Sequence, residues 1–280
     1  MKKSALHFLP VDWQAWVNDN VASGCSPDSM VAEMVGNGNF DRNLAEYAIA
    51  DAHIARDPTM FKQKLLPAID TMCNTIRAAD RDIQVLLSMC APRIVLLGNV
   101  LSHSECEAMI ACSNSRFSPS TLVGQSDGSH ANQDFRTSQS ATIYKDESKL
   151  IAGIDARLAA LTNWPVECGE QLQLQKYAKG NQYRPHFDWF DPNTDITRQQ
   201  MEPSGQRLAT IILYLTDVEE GGGTSFPCIG LEVYPKKGNA LFFMNTNPYG
   251  VEDRKTLHAG LPVEKGHKII ANKWLRERPF

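Results

Sequence analysis

Two periodicities divide the chain. Up to about residue 60, apolar side chains recur at helical spacing. Trp13, Trp16, Val17 and Val21 lie on one face of a helix capped by Asp12 and ended at Gly24. Ser26-Pro27-Asp28 is a second start, with a hydroxyl cap, proline at the first helical position and an acid in the first turn. It leads through Met30, Val31, Met34 and Val35 to a stop at Gly36 and Gly38. Asp41 caps a third helix carrying Leu44, Ala48, Ile49 and Ala52. The reading is a small helical bundle over residues 1–60, with little core to fold on alone. Asp57-Pro58 marks its end, and 61–91 is a connecting segment that starts as a further helix through Phe61, Leu65, Leu66, Ile69 and Met72.

The period then changes. Ile83–Leu87 and Arg93–Leu97 read as strands around Ala91-Pro92, and Ser102-His103-Ser104-Glu105 is a capping box that opens a helix. A polar stretch from Ser118 to Gln133 is long enough for a mobile functional loop. A helix with Leu150, Ile154, Leu158 and Leu161 follows. From Gln171 onward the pattern is short strands (171–178, 207–215, 231–234, 239–244, 257–263 and 267–275) between glycine turns. Helices first and regularly spaced strands afterwards predict an α+β chain, a β-sandwich or jelly roll with helices packed outside.

Composition narrows the class. A formal charge of −4 offers no footprint for nucleic acid, and no apolar run nears the ~20 residues of a membrane helix. The start, Met1 to Pro10, is broken by His7 and Pro10 too early for a secretory signal. Seven cysteines without a Cys-x-x-Cys pair read as reduced, part-buried side chains of a cytoplasmic protein.

Candidate chemistry sits in two segments. In Tyr183-Arg184-Pro185-His186-Phe187-Asp188, an imidazole and a carboxylate two residues apart project from one face of extended backbone, half of a metal site. The other segment runs from Leu257-His258-Ala259-Gly260 to His267-Lys268. If Glu264–Gly266 form a hairpin turn centred on Lys265, position 268 lies opposite 262, on the face that 258 shares. His258 and Lys268 then point into one interior, about 13 Å apart at ~3.4 Å per residue. An ammonium there is costly unless an anion pairs with it. His267 alternates to the opposite face from Lys268.

These pieces, taken with others in order, resemble the catalytic domain of prolyl 4-hydroxylases of the 2-oxoglutarate/Fe(II) dioxygenase superfamily. The likeness runs from about Pro92 to Phe280. It includes Pro92–Leu97, Arg136-Thr137-Ser138, Gln173–Tyr177, Tyr183–Asp188, Arg207–Thr210, Gly222–Pro227, Pro235–Phe243, the ten-residue spacing from His258 to Lys268, and Trp274. The resemblance implies a domain over 92–280 with a double-stranded β-helix core. It implies Fe(II) on His186, Asp188 and His258, the far carboxylate of 2-oxoglutarate on Lys268, and further cosubstrate contacts at Tyr177 and Thr224. Tyr183, Arg207 and Trp274 match positions that line the substrate groove. O2 is the other cosubstrate, with ascorbate as an accessory reductant, and the stretch before Arg136 is where the family carries a covering lid. The expected activity is hydroxylation of a prolyl residue in a peptide or protein; the alternatives are a free amino acid or natural-product scaffold as substrate, or a metal-binding jelly roll without turnover. Ile269–Asn272 and the polar Thr194–Gln206 stretch depart from the family pattern near substrate surfaces. The N-terminal helices are the candidate contact for a protein partner.

Overall fold

The structure is a computed structural model, describing residues 5–56, 66–120, 135–192, 194–247 and 250–280. The N-terminal pattern folds as read, into α1 (Val11–Ala22), α2 (Pro27–Gly36) and α3 (Arg42–Arg56). Val17, Val21, Met30, Met34, Ala48 and Ile49 form their common core. Ser26 accepts from Ser29 N as the cap of α2, and Asp41 Oδ1 accepts from Asn43 N and Leu44 N at the start of α3. Asp12 corrects one detail. α1 begins at Val11 after Pro10, with no side-chain cap, and Asp12 lies inside the first turn. Its charge there complements the helix dipole and caps nothing.

The expected helix over 60–80 is a second correction. The Asp57-Pro58 boundary and residues up to 65 lie outside the described residues. Beyond them the chain has no helix before strand β1 (Thr75–Ala78), which pairs with β2 (Arg81–Met89) as a hairpin. Pro67 has no N–H to give a helix. The segment's polar backbone is satisfied from outside: Ala68 N donates to Thr162 O (2.8 Å) and Arg93 Nη2 to Ile69 O (2.9 Å). Tertiary partners outweigh a helical spacing of apolar residues.

The rest of the chain supplies β3 (Ile94–Gly98), α4 (His103–Ser113), β4 (Ser118–Pro119), β5 (Gln139–Ile143), α5 (Lys149–Thr162), β6 (Leu172–Tyr177), β7 (Tyr183–His186) and α6 (Asp195–Met201). After these come β8 (Arg207–Tyr214), β9 (Glu220–Gly221), β10 (Thr224–Phe226), β11 (Leu231–Val233), β12 (Ala240–Met244), β13 (His258–Gly260), β14 (Val263–Lys265) and β15 (Lys268–Arg276). α4 carries the full capping box, Ser102 with Glu105. The Ser118–Gln133 loop lies almost entirely outside the described residues.

A nine-stranded antiparallel sheet, in the order β1-β2-β3-β12-β8-β15-β6-β5-β4, faces a four-stranded one, β11-β10-β13-β7. This is the expected jelly roll flanked by helices. Strand alternation gives the large sheet two different faces. Ile211, Leu213, Phe242, Ile269, Ala271 and Leu275 pack toward α4 and α5 in one core. Ile212, Tyr214, Leu241, Phe243 and Ile270 pack instead against Phe226 and Val233 of the small sheet.

The hairpin expected around Lys265 does not form. β13 pairs with β7 and β10, β14 with β9, and β15 with β6 and β8, so the chain crosses from the small sheet to the large one between 260 and 268. Gly221 permits the crossing. Its φ is +73° and a Cβ there would meet Pro262 O at 2.4 Å. His258 and Lys268 therefore reach one interior from facing sheets. The cysteine reading also needs amendment: all seven are free, but Cys73, Cys112 and Cys228 are exposed.

Candidate metal centre and cosubstrate site

β7 and β13 are neighbours in the small sheet, with His186 directly opposite His258. Their rings are 4.3 Å apart between centroids. Asp188, just past the end of β7, completes the group, and its Oδ1 and Oδ2 lie 3.8 Å and 3.6 Å from His186 Nε2 and His258 Nε2. One donor atom from each of the three residues lies within 4.8 Å of the others, the only such group of three or more among the described residues. Two imidazoles and one carboxylate on one side of a point leave the other side open, an arrangement suited to Fe(II) that must also take up substrates.

Each donor is held by its own support. His258 Nδ1 lies 3.0 Å from Thr256 O and His186 Nδ1 2.9 Å from Arg184 O. A backbone carbonyl takes the Nδ1 proton in each case, which turns the Nε2 lone pair toward the common point. Thr210 Oγ1 donates to Asp188 Oδ2 (2.8 Å), and Asn245 Nδ2 donates in turn to Thr210 (3.1 Å). Burial, with His258 beside it, pulls His186 down to about 3, so its ring is neutral and free to ligate. Burial pushes the Asp188 carboxyl up, but His258, His186, Arg207 and the Thr210 hydroxyl together hold the group below its ordinary value. The centre sets an ionised carboxylate beside the neutral His186 ring. It fits a divalent cation.

Lys268 opens β15 on the face that also carries Ile270, and is 1% exposed. Its ammonium lies 5.2 Å from the centre of the Tyr177 ring, directly across the ladder. No carboxylate pairs with it among the described residues, and burial alone pulls it down to about 7. Gly222 keeps a gap beside the stem, since a Cβ there would sit 3.5 Å from Lys268 Cδ. A buried cation without an anion is expensive, so the cradle fits a ligand that brings its own carboxylate. Tyr177 donates to Gln175 Oε1 (2.5 Å), and Thr224 shares a hydrogen bond with Tyr214 (3.0 Å). Both are buried in this interior, and both hydroxyls already have partners. Burial raises Tyr177 and Tyr183 to about 12, so both stay protonated donors.

The three groove candidates cluster beside the metal group. Tyr183 stacks on the His186 ring at 3.5 Å. Arg207 lies 3.9 Å over Trp274 and forms a paired contact with Glu170 through Nε (2.7 Å) and Nη2 (2.9 Å). Trp274 stands opposite Thr210 in the ladder, and its buried Nε1 has no acceptor among the described residues.

Several supporting residues escaped sequence reasoning. Thr210 and Asn245 are polar residues in or beside apolar strands, a signal that could have marked them. Gln206 holds the Phe190 backbone at both N and O (2.7 Å each), and Glu170 bridges Arg207 and Arg276; nothing local announced either.

Fold and donor set together define a 2OG-Fe(II) oxygenase, and comparison with known proteins agrees. The family model of the 2OG-Fe(II) oxygenase superfamily matches residues 172–276. The prolyl 4-hydroxylase subunit alpha-1 of Gallus gallus is 37% identical over 187 residues, covering 67% of this chain and 36% of that one. Prolyl 4-hydroxylase 5 of Arabidopsis thaliana is 34% identical over 208 residues, covering 68% of this chain and 70% of that one. A solved viral collagen prolyl hydroxylase of Paramecium bursaria Chlorella virus 1, in its 2OG complex, superposes with a TM-score of 0.51 at 30% identity. That match covers 65% of this chain and 94% of the viral one. The chain belongs to the prolyl 4-hydroxylase family of 2OG-Fe(II) oxygenases. Its cofactors are Fe(II) and 2-oxoglutarate. No described helix is long and apolar enough to cross a membrane.

Proposed function

We propose that the chain hydroxylates prolyl residues of a peptide or protein, with Fe(II) on His186, Asp188 and His258 and the 2-oxoglutarate tail on Lys268. The observation that carries the reading is the pairing of a three-donor group with a buried ammonium, met by no described carboxylate, in the same interior. Held by these residues, Fe(II) and 2-oxoglutarate would supply the oxidising chemistry: one atom of O2 would enter the C–H bond and the other would go into succinate, with CO2 released. The protein's own part is positional. The facial donors leave one side free, Lys268 sets the depth of the diacid, and Phe226 and Phe243 pack around His258 and keep water from its ring. Tyr183, Trp274 and Arg207 offer a flat aromatic and guanidinium lining beside Asp188, suited to the apolar pyrrolidine ring and a backbone carbonyl.

The family names prolyl residues as substrates, and the matched region spans only part of its first relatives; the substrate is therefore part of the proposal. So are a cytoplasmic setting, which the free cysteines support, and a protein partner on the N-terminal helices, which exposed Phe8 and Val11 favour. The test is incubation of the full chain with Fe(II), 2-oxoglutarate, O2, ascorbate and a set of proline-containing peptides. Expected is a one-oxygen mass gain on proline, stoichiometric with succinate and absent without iron. Product confined to free amino acids, or no product with any peptide, would contradict the reading.

A further inference from the structure

α3 of the N-terminal bundle reaches the turn that delivers His258. Asn43 Nδ2 donates to Asp253 Oδ1 (2.8 Å), and the Tyr47 hydroxyl donates to Asp253 Oδ2 (3.4 Å). Asp41, which caps α3, also pairs with Lys255. Asp253 is in turn the organising residue of the 3₁₀ turn Arg254–Thr256. Its carboxylate accepts from Lys255 N (2.9 Å), and its carbonyl accepts from Thr256 N (3.1 Å) and Thr256 Oγ1 (2.6 Å). The Thr256 carbonyl is the group that fixes the His258 ring. Asp253 N donates to Asn245 O (2.9 Å), so the same turn braces the Asn245–Thr210–Asp188 line.

We propose that α3 is part of the support of the metal centre. Asn43 and Tyr47 act as positioning residues that hold the Asp253–Thr256 turn, and through it His258, in the geometry that binds metal. This rests on the reading of His258 as a ligand. The argument is one of satisfaction. Asp253, Thr256 and His258 are all at most 4% exposed, and a buried carboxylate deprived of donors moves toward water rather than stay unpaired. Burial already raises the Asp253 carboxyl above its ordinary value, and the Lys255 amide, Asn43, Tyr47 and the Lys255 ammonium oppose it. If the turn shifts outward, Thr256 O moves with it and the Nε2 of His258 loses its aim. Loss of such an outer support costs metal affinity about tenfold or more in comparable sites.

The experiment uses the full chain and Co(II) as the probe metal, with affinity and visible absorption read together. The double variant N43A/Y47F keeps the helix and the aromatic ring, and its folding is followed separately by thermal unfolding. The expected result is a Co(II) Kd about tenfold higher than wild type, with a changed absorption band, at a temperature where both proteins are folded. A rise below threefold, or a rise with an unchanged band, overturns the coupling. The single variant Y47F, expected to give a smaller rise of the same kind, serves if the double variant does not fold; no rise in it overturns the coupling as well. His258→Ala separates the two claims: if it binds Co(II) as well as wild type does, the metal-site reading fails and the coupling falls with it.

Discussion

Strand β15 buries two lysines on opposite faces, and their surroundings differ. Lys273 points toward the helices, where Asp155 of α5 sits 2.7 Å from its ammonium. Lys268 points between the sheets, where no described carboxylate meets it. Burial depresses both, but Asp155 opposes it at Lys273 while nothing opposes it at Lys268. One buried charge is finished by the fold. The other, on the proposed reading, is left for a ligand. A protein gains nothing in stability from an unpaired buried ammonium, so the difference marks where the fold gives up stability for binding.

The largest effects come from removing each charge in turn. Lys268→Met is expected to weaken 2-oxoglutarate binding by a hundredfold or more, about 3 kcal/mol, from loss of a desolvated charge partner, while the chain without cosubstrate becomes no less stable. Calorimetric titration and denaturant unfolding measure the two halves; a destabilised K268M with unchanged affinity would make the two lysines alike. Lys273→Met should do the reverse. Stranding Asp155 costs about 3–5 kcal/mol of unfolding free energy, with the cosubstrate Kd within threefold of wild type. The double variant D155L/K273M should recover most of that loss, because a buried pair is often replaceable by apolar side chains; a double variant no better than the single would refute the pairing.

Thr210→Val sharpens the comparison on the same interior face. It keeps the shape and removes the donor to Asp188, and about a tenfold loss of Fe(II) affinity is expected, with about 1–3 kcal/mol of unfolding free energy lost because Asn245 is left without its acceptor. The smallest effect is a pH slope. Lys268 is held near 7 in the folded chain and returns toward 10.5 on unfolding. Between those values the unfolded state binds more protons, so stability without cosubstrate should rise with pH from about 7 upward. Cosubstrate binding at pH 8 should also take up part of a proton, seen as a dependence of binding heat on buffer ionisation enthalpy. Neither should survive in K268M; a slope that does survive belongs to another group.

Much of this was legible in the chain because it depends on local rules. Capping residues announced α2, α3 and α4, glycine turns bounded the strands after Gln171, and His186 and Asp188 lie two apart on one edge. The His258–Lys268 pair was recognisable by spacing, though the hairpin argument for it was wrong. Strand pairing is a non-local choice, and a three-residue strand such as β13 carries too little pattern to say which neighbour it takes. The missing parts were non-local for the same reason. Gln206 reaching Phe190, Glu170 reaching Arg207 and Arg276, and Asn43 reaching Asp253 are contacts that topology creates and no window of sequence contains. The segment before β1 failed differently, since apolar spacing favoured a helix that Pro67 and external hydrogen bonds forbid.

Anaerobic titration of the full chain with Fe(II) and 2-oxoglutarate, followed by visible charge-transfer absorption, tests the central claim most directly. The account predicts one band per chain, saturating at one equivalent of iron, absent in His258→Ala and needing far more 2-oxoglutarate in K268M. A band of full amplitude in His258→Ala, or one indifferent to the loss of Lys268, would contradict it.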